Sequence, residues 1–242
     1  MSCLYPCVCC CISQPDRPLP ESVERNLTDE VAYFESLFAE DLAPGNAAGW
    51  AIKKEWDDKY NECDFKMRVA LKPDPWGNGN AFMRADGKFK GVSPEQFVGY
   101  LLNPTNLPGL QEWVDVAENA DGSLIKYCKV KAPMMTARDH CWKVMVDRRD
   151  DGSIFVCIRT TEPSHPECMV SEETGCCGPA VIRAYYYNGS LFRMSEEDGV
   201  MEMTEFIWQD LKGGIPVCLM NAALPAGTVD FNKNEMKLLK NM

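Results

Sequence analysis

The sequence predicts an α+β domain in which a long C-terminal helix lies across a curved antiparallel sheet. Three observations carry that prediction. Residues 200–211 alternate like a strand and run into Asp210-Leu211-Lys212-Gly213-Gly214-Ile215-Pro216, a corner built from Gly-Gly-x-Pro. Residues 217–239 then place Val217, Met220, Leu224, Phe231 and Leu238 near one helical stripe. Ahead of them, strand signals succeed one another across short turns, without the helix after each strand that a parallel sheet requires. A helix laid over a curved sheet can enclose an apolar cavity.

The elements follow in order. Five of the 13 cysteines (Cys3, Cys7, Cys9, Cys10 and Cys11) crowd the first eleven residues among Leu4, Tyr5, Val8 and Ile12. Clustered terminal cysteines of this kind suit S-acylation, and two acyl chains anchor stably where one does not. Ser2 in place of Gly rules out N-myristoylation. Three prolines between Gln14 and Pro20 make an extended linker. Residues 1–25 are therefore read as a Cys-rich tail and linker, and 26–242 as one folded domain.

Residues 28–42 read as a helix with Leu27, Val31, Phe34 and Phe38 on one face, stopped by Pro44-Gly45. From Asp64 the period becomes two, with Phe65, Met67, Val69 and Leu71 alternating against charged residues. Turn residues 73–80 lead to a strand region from Ala81 to Val92, with a break expected at Asp86-Gly87. Ser93-Pro94-Glu95-Gln96 is a helix start, with Ser as N-cap and Gln three residues on. Strands are expected at 112–117, 123–131, 140–147, 154–161, 181–187, 191–194 and 200–211. Asp121-Gly122, Asp151-Gly152, Asn188-Gly189 and Asp198-Gly199 are read as their hairpin turns. Pro225, with Gly227 after it, predicts a kink or short break between Leu224 and Thr228.

Composition narrows the function. Hydrophobic residues at 45% and charged residues at 25% are ordinary globular values. A formal net charge of -11 argues against nucleic-acid binding, which depends on Lys and Arg at phosphates. No apolar run approaches the ~20 residues that span a bilayer. The odd cysteine count and the lack of a secretory signal favour free thiols in a reducing cytoplasm. Phosphate loops, G-x-S-x-G and zinc spacings are missing. His140 and Cys141 are neighbours in a strand and so point to opposite faces, which disfavours a Cys–His nucleophile. The expectation is a non-enzymatic, monomeric protein without metal or cofactor.

Four motifs in order carry a family resemblance: Lys131-Ala132-Pro133, Ala137-Arg138-Asp139, Val181-Ile182-Arg183-Ala184, and Asp210-Leu211-Lys212-Gly213-Gly214-Ile215-Pro216. Over residues 50–240 their spacing resembles that of the START domains, the steroidogenic acute regulatory protein-related lipid-transfer family. The resemblance implies a helix-grip fold whose tunnel holds one lipid, a phospholipid or a sterol, and a protein that moves it between membrane surfaces. The alternative is a lipid-sensing module whose output is a protein partner. Candidate lipid-binding residues are Trp113, Tyr127, Trp142, Arg183, Tyr186, Trp208, Met220, Leu224 and Phe231. The candidate gate is Met134 and Met135 with Pro225. The aromatic residues form either a cage for an ammonium head or ordinary sheet packing. Arg138 and Asp139 either hold a head group or pin the loop-to-strand corner. Arg183 is either a buried counter-charge or a surface cation.

Overall fold

The computed structural model describes residues 25–43, 45–57, 64–76, 79–104, 107, 109–131, 135–161, 174, 175, 178, 179, 181–213 and 215–240. The chain order is α1 (Leu27–Phe38), β1 (Ala51–Asp57), β2 (Phe65–Pro73), β3 (Ala81–Lys90) and α2 (Pro94–Leu102). Five strands follow: β4 (Leu110–Glu118), β5 (Leu124–Val130), β6 (Ala137–Arg148), β7 (Ile154–Thr160) and the short β8 (Thr174–Gly175). Then come β9 (Gly178–Pro179), β10 (Val181–Arg183), β11 (Tyr185–Met194), β12 (Val200–Asp210) and α3 (Val217–Leu239).

The main sheet runs β1-β2-β3-β12-β11-β7-β6-β5-β4, antiparallel throughout, and stays open with β1 and β4 as its edges. Against the expected all-antiparallel meander, β10 lies parallel to β6, with Val181 opposite Ala137. Among the described residues, β8 and β9 form a separate two-stranded sheet.

Each face of the curved sheet buries its own core. On one side, α2 and α3 close over Phe65, Met67, Val69, Met83, Phe89, Val156, Phe192, Met201 and Met203. On the other, α1 drives Phe34 and Leu37 into Ala70, Phe82, Phe155, Phe206 and Trp208. Strand alternation produces both cores from the same strands, because successive side chains leave on opposite faces.

Local chemistry sets the element ends. The α2 capping box forms as read: Ser93 Oγ accepts from Gln96 N, and Gln96 Oε1 accepts from Ser93 N. Asp121 and Asp151 each accept from the backbone N and hydroxyl of the Ser two residues on, shaping two alike hairpins. At the Gly-Gly-x-Pro corner, Lys212 and Gly213 take positive φ of 53° and 69°. A Cβ on Gly213 would lie 2.4 Å from Ile182 Cδ1 and 2.8 Å from Arg138 Nη2, so only glycine fits there.

Two expectations are corrected, one strand is new, and of the two outcomes expected at Pro225, a kink or a break, the break is removed. β3 passes through Asp86-Gly87 unbroken, held on both sides by pairing with β2 and β12. Asn188-Gly189 is no turn: β11 runs through it, with Gly189 opposite Phe206 and Cys157. The glycine is there because α1 sits on it, and a Cβ would fall 2.4 Å from the Phe34 ring. β1 was not foreseen; it is an edge strand exposed along almost its whole length, so it has no alternating pattern to read. Finally, α3 continues through Pro225 without a break. The described residues contain no helix long and apolar enough to cross a membrane.

Candidate functional site

Between α3 and the sheet lies a cavity of about 510 Å³. Its walls come from β4, β5, β6, β7, β11 and β12, its roof from α3, and one end from α2 and the residues after it. Alternation decides which side chains reach it. From β6 the even residues His140 and Trp142 point in, and from β11 Tyr186 does so. From β12 the odd residues Glu205, Ile207 and Gln209 point in, as Met201 and Met203 do further along the core. Across one turn after another, α3 offers Met220, Leu224, Phe231 and Glu235.

Six of the sequence candidates meet here: Trp113, Trp142, Tyr186, Met220, Leu224 and Phe231. Trp113, Trp142 and Tyr186 form a continuous wall, with ring centroids 5.7 Å apart for Trp113–Trp142 and 5.5 Å for Trp142–Tyr186. The indole Nε1 of both tryptophans is buried without a hydrogen-bond partner.

Three candidates lie elsewhere. Trp208 leaves β12 on the opposite face from Ile207 and meets Trp76 edge-on at 5.5 Å in the α1 core. Tyr127 leaves β5 on the opposite face from Cys128, and its hydroxyl donates to Asp139 Oδ2 at 3.5 Å. Arg183 makes a two-pronged ion pair with the fully buried Asp139, at 2.9 and 3.0 Å. Arg183 is thus a buried counter-charge, and its anion is the protein's own carboxylate. Arg138 donates to the carbonyls of Leu211 and Lys212, pinning the corner that launches α3. Of the gate candidates, Pro225 is buried within α3 and Met135 is half-buried just ahead of β6. Met134 falls outside the described residues, as do Cys3, Cys7, Cys9, Cys10 and Cys11.

The polar end of the cavity is what sequence reasoning missed. Glu205 Oε1 accepts from Asn188 Nδ2 at 2.8 Å and from the Ser190 hydroxyl at 3.4 Å. Burial pushes its pKa up to about 7 against the pull of those two donors. Glu235 is 1% exposed, and neither of its carboxyl oxygens has a hydrogen-bond partner. Its pKa is raised well above the carboxylate range, by burial first and by the charge of Glu205 second. The same two carboxyls add to the burial that raises the Tyr186 hydroxyl. Burial lowers His140 to about 4, so its imidazole is neutral, with Nδ1 unpartnered. Cys141, on the opposite face, accepts from Thr161 Oγ1 at 3.3 Å, so no Cys–His pair forms.

The one available signal for Glu205 was its place among the odd-numbered residues of a strand that puts Met201, Met203 and Ile207 on the same face. Glu235 had its helical spacing from Leu224 and Phe231. Among the described residues no group of His, Cys, Asp or Glu is arranged to hold a metal ion.

Neither the protein-family models nor the curated protein sequences give a match to this chain. Solved structures do. Human StAR-related lipid transfer protein 5 superposes with a TM-score of 0.68 at 20% identity, over 88% of this chain and 95% of its own. Human STARD10 gives 0.64 at 14% identity, over 88% and 80%. A STAR-related lipid transfer protein from Xanthomonas axonopodis gives 0.57 at 16% identity, over 78% and 99%. The chain has the fold of the StAR-related lipid transfer (START) domains, a helix-grip fold in which a curved, open antiparallel sheet holds the C-terminal helix.

Proposed function

We propose that this protein binds one lipid in the cavity beneath α3 and carries it between membranes without changing it chemically. The observation that carries the reading is the roofed cavity of about 510 Å³, lined mainly by aromatic and aliphatic side chains, within a lipid-transfer fold. Burying a methylene is worth about 0.8 kcal/mol, so ten of them supply ~8 kcal/mol for drawing a chain out of water.

Entry is proposed to run past α3, with Met134, Met135 and Pro225 as the gate. Leu219 on the first turns of α3 is 62% exposed and Phe231 is 37% exposed, apolar surface that suits contact with a bilayer as the helix lifts. Acylation of Cys3, Cys7, Cys9, Cys10 and Cys11 would hold the domain at a membrane, on its cytoplasmic side.

Transfer of a fluorescent lipid between donor and acceptor vesicles tests the carrier. Wild type should accelerate exchange, and Leu224→Trp, which fills the cavity, should cut the rate at least fivefold. Tight retention of lipid without exchange would replace the carrier with a lipid sensor. Equal rates for wild type and Leu224→Trp would remove the cavity from the mechanism. Replacing the five tail cysteines by Ser should release the protein from membranes in cells, and unchanged partitioning would end the anchoring proposal.

A further inference from the structure

We propose that the polar end of the cavity selects a single-chain lipid with a protonated primary amine, the chemistry of a sphingoid base, over lipids with anionic or phosphate-bearing heads. This deepens the carrier reading and rests on it.

The charge pattern comes first. Glu205 on β12 and Glu235 on α3 both face the cavity, and no Lys or Arg is among its lining residues. Lys126, buried behind Trp113, is occupied by Asp115. The cavity therefore offers two carboxyls and no cation to a ligand head. Glu235 is aimed into this space with both oxygens vacant as acceptors and only 1% of its surface exposed. A primary ammonium carries three donors and suits that vacancy. It also lets one carboxyl ionise against a positive partner instead of staying protonated, as burial and mutual repulsion otherwise require. A phosphate or carboxylate head would bring a third acidic group to the same place.

The surroundings favour a cation too. Trp113, Trp142 and Tyr186 line the cavity beside the carboxyls, and π faces attract ammonium groups. The other titratable groups around the acid pair are Cys128 from β5, His140 from β6, Tyr186 from β11 and Tyr100 from α2. His140 is held neutral, and the tyrosines and the thiol have no cationic form, so none supplies competing positive charge. Size points to one chain: at the ~30 Å³ that a water molecule occupies in the liquid, the cavity holds about 17 non-hydrogen atoms, near the ~21 of a single-chain sphingoid base and far from the ~50 of a two-chain phospholipid.

The test uses the full chain stripped of lipid, with binding followed by native mass spectrometry and tryptophan fluorescence. The probes are sphingosine, octadecanol, stearate and lysophosphatidylcholine. Sphingosine should bind at least tenfold tighter than octadecanol, with stearate and lysophosphatidylcholine weaker than both. In Glu205→Gln/Glu235→Gln the sphingosine-to-octadecanol ratio should fall close to one, and in Glu235→Gln alone part of the way. Far-UV circular dichroism establishes that each variant is folded. An equal affinity for sphingosine and octadecanol, or a ratio that survives in the double variant, overturns the inference while leaving a lipid carrier standing. Preference for stearate or lysophosphatidylcholine does the same. If none of the four probes binds, the inference falls, and the vesicle-exchange assay alone decides the carrier reading.

Discussion

Replacing Glu205 by Gln in the lipid-free protein tests the electrostatics of the cavity directly. The carboxyl rises from an ordinary value of 4.5 to about 7 because burial outweighs its hydrogen bonds from Asn188 and Ser190. One pKa unit is worth about 1.4 kcal/mol, so the shift corresponds to about 3 kcal/mol. The sign follows from proton binding. The unfolded chain releases this proton near pH 4.5 and the folded chain only near 7, so between those values the folded state binds more protons. Stability therefore falls as pH rises through that window, and the full penalty applies above it. Gln keeps the shape and can still accept from Asn188 through its own Oε1, but it cannot ionise. The variant should match wild type near pH 4.5 and exceed it by about 3 kcal/mol at pH 8. Lifting the charge of Glu205 from Glu235 adds to the gain. Urea denaturation at pH 4.5, 6 and 8, with an unchanged slope, measures it. Stability profiles for wild type and variant that run parallel from pH 4.5 to 8 would refute a Glu205 that titrates with a raised pKa.

Gly189→Ala should cost about 2–3 kcal/mol by urea denaturation, because the Phe34 ring it strikes is boxed in by Phe155, Tyr187 and Phe206. Adding Phe34→Leu should recover part of that loss, and a cost under ~0.5 kcal/mol would show that α1 can shift. Asp139→Ala should destabilise by about 3–5 kcal/mol by leaving Arg183 buried without its carboxylate. The double change with Arg183→Met should be milder; equal losses would mean the pair is not coupled. Pro225→Ala restores a backbone donor within α3 and should slow vesicle-to-vesicle exchange at least threefold if the helix lifts there. An unchanged rate removes Pro225 from the gate.

Much of the architecture was written in short-range patterns. The alternation of Phe65, Met67, Val69 and Leu71, the capping box at Ser93 and the Asp-Gly turns at 121 and 151 each work within a few residues, so they can be read without coordinates. The stripe of Met220, Leu224 and Phe231 likewise announced a helix with one face to cover, and that face roofs the cavity. Asn188-Gly189 misled because its local chemistry is that of a turn. Its glycine answers to Phe34, more than 150 residues away in the chain, and only packing between elements can reveal that. β1 carried no pattern because an exposed edge strand buries neither face.

The sequence by itself determined the helices, most strands, and an apolar face on α3 that needs a partner. Only the tertiary structure decided which of two adjacent residues enters the cavity. Ile207 faces inward and Trp208 is spent on the α1 core; Cys128 faces inward and Tyr127 stands outside. Alternation says that neighbours diverge, but not which face of a doubly covered sheet holds the cavity. The approach of Glu205 to Glu235 has the same origin: one belongs to a strand and the other to a helix, and they share a site only because α3 lies back across the sheet.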